Sequence, residues 1–352
     1  MMESKGSHKW TKNILDELDI NPKIVVCAKK AGCVSASTIL GASHNELEEK
    51  LGLSSFHIKN FIDAVTSHVL PKKTSAWDLS QTGEGDPKHI TLGCQNLDNF
   101  LGGGVPARGI TEMTGQSGSG KTQIALQLSL CAQLPPAAGG LGKGVAYICT
   151  ESQFPTARLQ QMVKYFKAKH SQGPASYTDG IFVHHIPDMD SLVDCVRYQL
   201  PCLLSQRSIG LVVLDSVASP FRAEESNMEN KNLLYTLGYQ LHQLAATYHI
   251  AIVAINQVTS VIGNNNLYGH SGNVVPTLGL TWANLVTTRL MIGRTDSHVQ
   301  AEQTEGSGQV KKSSSKTIVE YNVRELEVIF CPWLGKKSCP FVVTSKGIED
   351  VE

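Results

Sequence analysis

The strongest constraint on the fold is an eight-residue stretch, Gly115-Gln116-Ser117-Gly118-Ser119-Gly120-Lys121-Thr122. It has the form G-x-x-x-x-G-K-[ST], the phosphate loop called Walker A. Its glycines let the backbone curl so that N–H groups point at phosphate oxygens. Lys121 reaches the β- and γ-phosphates, and the Thr122 hydroxyl ligates Mg²⁺. The positive end of a following helix adds to the attraction. Such a loop needs a strand before it and a helix after it. Gly109 to Thr114 reads as a short strand, and Gln123 to Cys131 as an apolar helix. Alone, the loop predicts an NTP-binding protein with ATP and Mg²⁺ as its cofactors.

From Ile90 to the end, strand and helix patterns alternate, which predicts an α/β domain with a largely parallel sheet. Gly144 to Thr150 is a buried-strand run ending at Glu151. A carboxylate at a strand end beside the phosphate loop is a candidate general base for attack on the γ-phosphate. Ile209 to Asp215 is an apolar strand closed by an acid, the form of Walker B. Its Asp215 is expected to hold the Mg²⁺ water shell opposite Thr122. Ile250 to Ile255 is a third buried run, ending in Asn256-Gln257 at the strand end where active sites of parallel sheets collect. Gln257 is the candidate γ-phosphate sensor. Residues 260–276 are Asn- and Gly-rich and are expected to be mobile, and residues 294–317 are polar enough to predict a disordered insertion.

Residues 10–69 show short apolar periods broken by Gly32, Gly41 and Gly52, which predict a small helical domain. Leu51-Gly52-Leu53-Ser54 before a helix to Val69 suggests a helix-hairpin-helix, a device that can hold DNA phosphate on backbone N–H groups. Ser43 before Glu46 is a capping signal, and Phe61 is expected in the core. Residues 70–89 form a linker in which Trp77 stands out as a possible anchor. Residues 90–352 form the α/β domain. With 31 Lys+Arg against 31 Asp+Glu, bulk charge does not point to a polyanionic partner. No run of apolar residues long enough for a membrane span is expected, and the first ten residues lack a signal-peptide core. Nine scattered cysteines without a C-x-x-C pair suggest free thiols in a reducing compartment.

From about Ile90 onward the chain resembles the RecA-like core of the eukaryotic and archaeal recombinases, and residues 10–68 resemble their N-terminal domain. Gly115 to Thr122 matches their Walker A, Glu151 their catalytic glutamate and Asp215 their Walker B. Asn256-Gln257 matches the step before their second DNA loop, and Val217 to Arg222 the start of the first. The runs Ala146-Tyr147-Ile148-Cys149-Thr150-Glu151 and Leu280-Thr281-Trp282-Ala283-Asn284 are similar to a recombinase paralogue. The resemblance implies a RecA-like P-loop ATPase core, ATP and Mg²⁺ binding and weak DNA-dependent ATP hydrolysis. It implies a nuclear protein supporting homologous-recombination repair of double-strand breaks and Holliday-junction processing within a paralogue complex. The implied partners are a C-type recombinase paralogue in a heterodimer, the recombinase itself, and DNA, directly or through the complex; no membrane is implied.

Three departures bear on this expectation. The recombinases carry a basic first DNA loop, whereas Glu224-Glu225-Ser226-Asn227-Met228-Glu229 is acidic and repels phosphate. Asn284 stands where they carry a histidine that senses the neighbour's ATP, and the acid of their C-terminal ATP cap is replaced around Phe330. These changes favour a nucleotide-held adaptor over the alternative, a self-sufficient DNA-dependent ATPase that pairs strands itself.

Overall fold

The computed structural model describes residues 13–70, 75–82, 87–224, 228–260, 274–303 and 317–351. The chain divides into two compact units between Asp86 and Pro87.

The first unit is helical: α1 (Pro22–Lys30), α2 (Ala36–Leu40), α3 (His44–Leu51) and α4 (Ser55–Val69). Each of the first three starts at a side-chain cap, from Asn21, Ser35 and Ser43. At α3 the expected box forms in both directions. Glu46 N donates to Ser43 Oγ at 3.3 Å, and Ser43 N donates to Glu46 Oε2 at 2.8 Å. Such a cap stabilises a helix by about 1 kcal/mol. Gly52 then takes φ +60°, which glycine adopts without Cβ strain, and α4 begins three residues later. The α4 residues Ile58, Phe61, Val65 and Val69 recur at helical spacing and are buried against Ile24, Ile39 and Leu47. The stretch read as a plain linker contains a seven-residue helix, α5 (Ala76–Thr82). Its start is capped by Ser75 and Asp78, whose Oγ and Oδ2 lie 2.6 Å apart, and Trp77 on it is 71% exposed.

The second unit begins with β1 (His89–Ile90), α6 (Gln95–Leu101), β2 (Val105–Pro106), β3 (Ile110–Thr114), α7 (Lys121–Cys131), β4 (Gly144–Cys149), α8 (Thr156–Lys169) and β5 (Ile181–His185). A helical run follows: α9 (Met189–Asp194), a π-helical turn (Cys195–Gln199) and α10 (Leu200–Gln206). Then come β6 (Ile209–Asp215), α11 (Met228–Tyr248), β7 (Ala251–Ile255), β8 (Val258–Ser260), β9 (Val274–Pro276) and α12 (Gly279–Ala283). The last elements are β10 (Thr288–Gln303), β11 (Thr317–Phe330), β12 (Ser338–Val343) and β13 (Ile348–Asp350). The main sheet runs β13-β12-β11-β10-β3-β7-β6-β4-β5. From β10 to β5 all neighbours are parallel, and from β10 to β13 they are antiparallel.

Alternation along the central strands splits the core in two. Leu211 and Val213 of β6 and Val253 of β7 face the layer that includes Ile124 and Leu128 of α7. Val212, Leu214 and Ile252 face the layer that includes Leu237 and Leu241 of α11. Strands covered on both faces need no polar alternation, which is why they read as continuous apolar runs.

Of the stretch 294–317, expected to be a disordered insertion, residues 294–303 and Thr317 are strand. β10 continues to Gln303 and pairs with β11 from Gln303↔Thr317 back through Arg294↔Arg324, with one irregularity on the way. From Arg294 to Gln300 its side chains are exposed or half-buried, so backbone hydrogen bonds rather than burial hold this part, and no apolar alternation marks it. Residues 304–316 of that stretch, and 261–273 of the stretch expected to be mobile, lie outside the described residues. The flanks of the latter, β8 and β9, pair as an antiparallel ladder. All nine cysteines are free, and no described helix is long and apolar enough to cross a membrane.

Candidate nucleotide site

The loop Gly115 to Gly120 leaves β3 and enters α7 at Lys121, the strand–loop–helix order the motif requires. Glycine is obligatory at its first position: a Cβ on Gly115 would lie 2.2 Å from the Ile292 carbonyl oxygen of β10. Gly120, at the helix start, has φ +114°, which side chains rarely adopt. Ser117 and Gln116 belong to the exposed crest of the turn or its edge, while Ser119 is buried. Lys121 is only 8% exposed. Its Nζ donates to the carbonyls of Gly115 at 2.7 Å and Gln116 at 2.8 Å. Burial lowers its pKa, and the charges of Asp215 and Glu151 pull it back up.

Asp215 closes β6 beside the loop. Thr122 Oγ1 donates to its Oδ2 at 3.0 Å, and so does the Tyr147 hydroxyl of β4 at 2.7 Å. Burial raises the Asp215 carboxyl above its ordinary value, against the lowering effect of Tyr147, Thr122 and Lys121. Thr122 and Asp215 together offer hard oxygen donors that suit Mg²⁺. Among the described residues no group of three or more His, Cys, Asp or Glu could hold a metal. An ion held by these two residues would draw the rest of its shell from phosphate and water.

Glu151 and Gln257 each stand two residues beyond a strand end, on β4 and β7 respectively. Cys149, Asp215 and Ile255 are in register across β4, β6 and β7. Glu151 and Gln257 thus flank the strand that carries Asp215, and Gln257 Nε2 donates to Glu151 Oε2 at 2.7 Å.

Several residues of the site were not singled out from the sequence. Tyr147 is the clearest, since a buried tyrosine in an aliphatic strand signals that its hydroxyl has a partner. Arg294, at the start of the supposed insertion, donates through Nη2 to the Gly118 carbonyl at 3.0 Å. Beside the loop a cavity of about 510 Å³ is lined by Lys121, Thr122, Arg158, Tyr321, Arg324 and Thr344, among others. Arg158 is held there by Gln123 Oε1 at 2.7 Å and by the carbonyls of Thr344 at 2.6 Å and Ser345 at 3.0 Å. Asn284 ends α12 and is exposed, and Phe330 lies under the Arg289 guanidinium at 5.1 Å.

The model of the Rad51 family matches residues 88–321. The mouse DNA repair protein XRCC3 is 36% identical, with 95% of this chain and 97% of that protein covered. DNA repair protein rhp57 of Schizosaccharomyces pombe is 31% identical over 91% of this chain and 96% of its own length. The DNA repair and recombination protein RadA of Metallosphaera sedula is 29% identical over the whole of both chains. Family model, near full-length relatives and the P-loop α/β architecture agree, and this chain belongs to the Rad51 family.

Proposed function

We propose that the chain is an ATP-binding recombinase paralogue that supports homologous-recombination repair of DNA breaks, including Holliday-junction processing, as part of a nuclear complex. Its relatives' names as DNA repair and recombination proteins support the repair role. One observation carries the ATP reading: Thr122 of the phosphate loop meets Asp215 at the end of β6, and Glu151 and Gln257 meet from the strands on either side of it. In this reading the loop N–H groups and Lys121 bind the β- and γ-phosphates, exchanging the Gly115 and Gln116 carbonyls for phosphate oxygens. Thr122 and Asp215 hold Mg²⁺, which supplies charge neutralisation at the phosphates. Glu151 orients and takes a proton from the attacking water, and Gln257 turns from Glu151 to the γ-phosphate. The fixed, planar guanidinium of Arg158 offers the base a stacking face.

The acidic run around Glu224–Glu229 and the uncharged Asn284 support an adaptor rather than a self-assembling filament. ATP then acts as a joint to a C-type paralogue and the recombinase, with slow turnover. The presence of Lys121, Glu151 and Asp215 supports some hydrolysis, so a DNA-dependent ATPase that pairs strands itself is the second reading. Single-strand DNA affinity of the purified chain, measured against salt, separates the two. The adaptor reading expects weak binding to the chain alone and tight binding only with the partner; tight binding by the chain alone with a steep salt slope would overturn it.

A further inference from the structure

Glu112 sits in the middle of β3, two residues before the strand ends, and is fully buried. A buried carboxylate is costly unless every oxygen is paired. Here both are. Arg289 Nε of β10 donates to Oε2, while Asn256 Nδ2 at 2.6 Å and Trp282 Nε1 of α12 at 3.1 Å donate to Oε1. Replacing such an ion pair with apolar residues is often neutral for stability, so stability alone does not account for it.

The arrangement has a direction. An ionised carboxylate only accepts, so Asn256 must turn its NH₂ toward Glu112. Its Oδ1 then faces away, where it accepts from Gln257 N at 2.7 Å and from Thr277 Oγ1 at 2.8 Å. Thr277 N in turn donates to the Gln257 carbonyl at 3.0 Å. A reversed Asn256 amide would set oxygen against carboxylate and NH₂ against the Gln257 N–H. Gln257 is thereby fixed at both backbone groups, directly at the foot of the β8–β9 ladder that begins with Val258↔Pro276.

We propose that Glu112 is a positioning residue for nucleotide sensing. Its charge sets the Asn256 amide, and Asn256 clamps the backbone of Gln257 to Thr277. With the Gln257 backbone tied to Asn256 and Thr277, a pull on its side chain as it exchanges Glu151 for phosphate bears on β8 and β9 together instead of being lost in local backbone rotation. The proposal rests on the ATP reading of the site.

The test uses the full chain and two double variants. Glu112→Leu with Arg289→Leu removes the charge pair and leaves Asn256 without its acceptor. Glu112→Gln with Arg289→Leu removes the charges but keeps a carbonyl acceptor at the same place. Amide hydrogen exchange at Gln257, Val258–Ser260 and Val274–Thr277 is followed with and without Mg-ATP, together with ATP affinity and turnover. The Leu/Leu variant is expected to bind ATP within about threefold of wild type while turnover falls about tenfold or more. Its β8–β9 amides exchange faster and no longer respond to ATP. The Gln/Leu variant regains most of both. Should Leu/Leu not fold, Thr277→Val, nearly isosteric, cuts the far end of the same chain and is expected to speed exchange at Gln257. Wild-type turnover and a wild-type exchange response in Leu/Leu, or a Gln/Leu variant as impaired as Leu/Leu, would overturn the proposal. So would unchanged exchange at Gln257 in Thr277→Val. If wild type itself fails to bind ATP, the ATP reading falls, while exchange at Gln257 and Thr277 without nucleotide still decides whether the clamp exists.

Discussion

Gln257 and Glu151 are joined by a 2.7 Å hydrogen bond across the end of β6, the strand that carries Asp215. The residue suited to sense phosphate therefore holds the residue suited to orient water. Removing the carboxylate's charge should separate binding from chemistry. For Glu151→Gln, turnover is expected to fall about 100-fold with ATP affinity within about threefold. Single-turnover phosphate release and equilibrium nucleotide titration check this; a variant with wild-type turnover would remove Glu151 from the chemistry.

Tyr147→Phe deletes the 2.7 Å bond to Asp215 and nothing else of the ring's packing. Burial already raises the Asp215 carboxyl, and the Tyr147 bond lowers it, so the variant raises it further. Mg²⁺ needs the ionised form. Mg-dependent ATP affinity is thus expected to fall as pH drops through the raised Asp215 value, and to begin falling at higher pH in the variant. The stability contribution has the opposite sense. A raised carboxyl favours the folded state at low pH, below the unfolded value, and that contribution is lost as pH rises through the folded value. Titrations of affinity and of melting against pH, run on both proteins, read the two signs separately.

Phe61→Ala tests the first unit. Phe61 is fully buried among Ile24, Ile39 and Leu47. The change is expected to cost about 3–5 kcal/mol, near the whole stability of a small domain. The full chain should lose structure in residues 13–70 by hydrogen exchange while ATP affinity stays unchanged, since the nucleotide site is built entirely from the second unit.

Trp77→Ala addresses partner binding. At 71% exposed, Trp77 contributes little to folding. If it anchors a partner pocket, its removal weakens the complex by about 2 kcal/mol or more, roughly 30-fold, with an unchanged melting curve. A co-purified partner paralogue titrated against both forms measures this.

The parts of the candidate nucleotide site are legible in the sequence because they obey short-range rules. The loop has fixed spacing, and Glu151, Asp215 and Gln257 follow apolar runs at strand ends, where parallel sheets collect function. What escaped depends on register. Arg294 meets Gly118 only because β10 lies beside β3, a pairing nearly 180 residues apart in sequence, and an exposed arginine in a polar stretch does not announce it. Glu112 looks like one acid in a short strand until Arg289, Asn256 and Trp282 converge on it. The helix at Ala76–Thr82 was hidden by its polar, linker-like setting, although Ser75 and Asp78 form a capping pair.

In the proposed function Gly115 to Thr122 is a working ATP site. Its most direct test is an equilibrium titration of the full chain and of Lys121→Ala with ATP, with and without Mg²⁺. Lys121 Nζ is held at the loop by two carbonyls and is the cation that phosphates would meet. Wild type is expected to bind ATP with an Mg²⁺-dependent affinity, and Lys121→Ala to lose about 100-fold, as for the loss of a buried charge-assisted contact. Equal affinity in the two proteins, or no binding by wild type, would contradict the account.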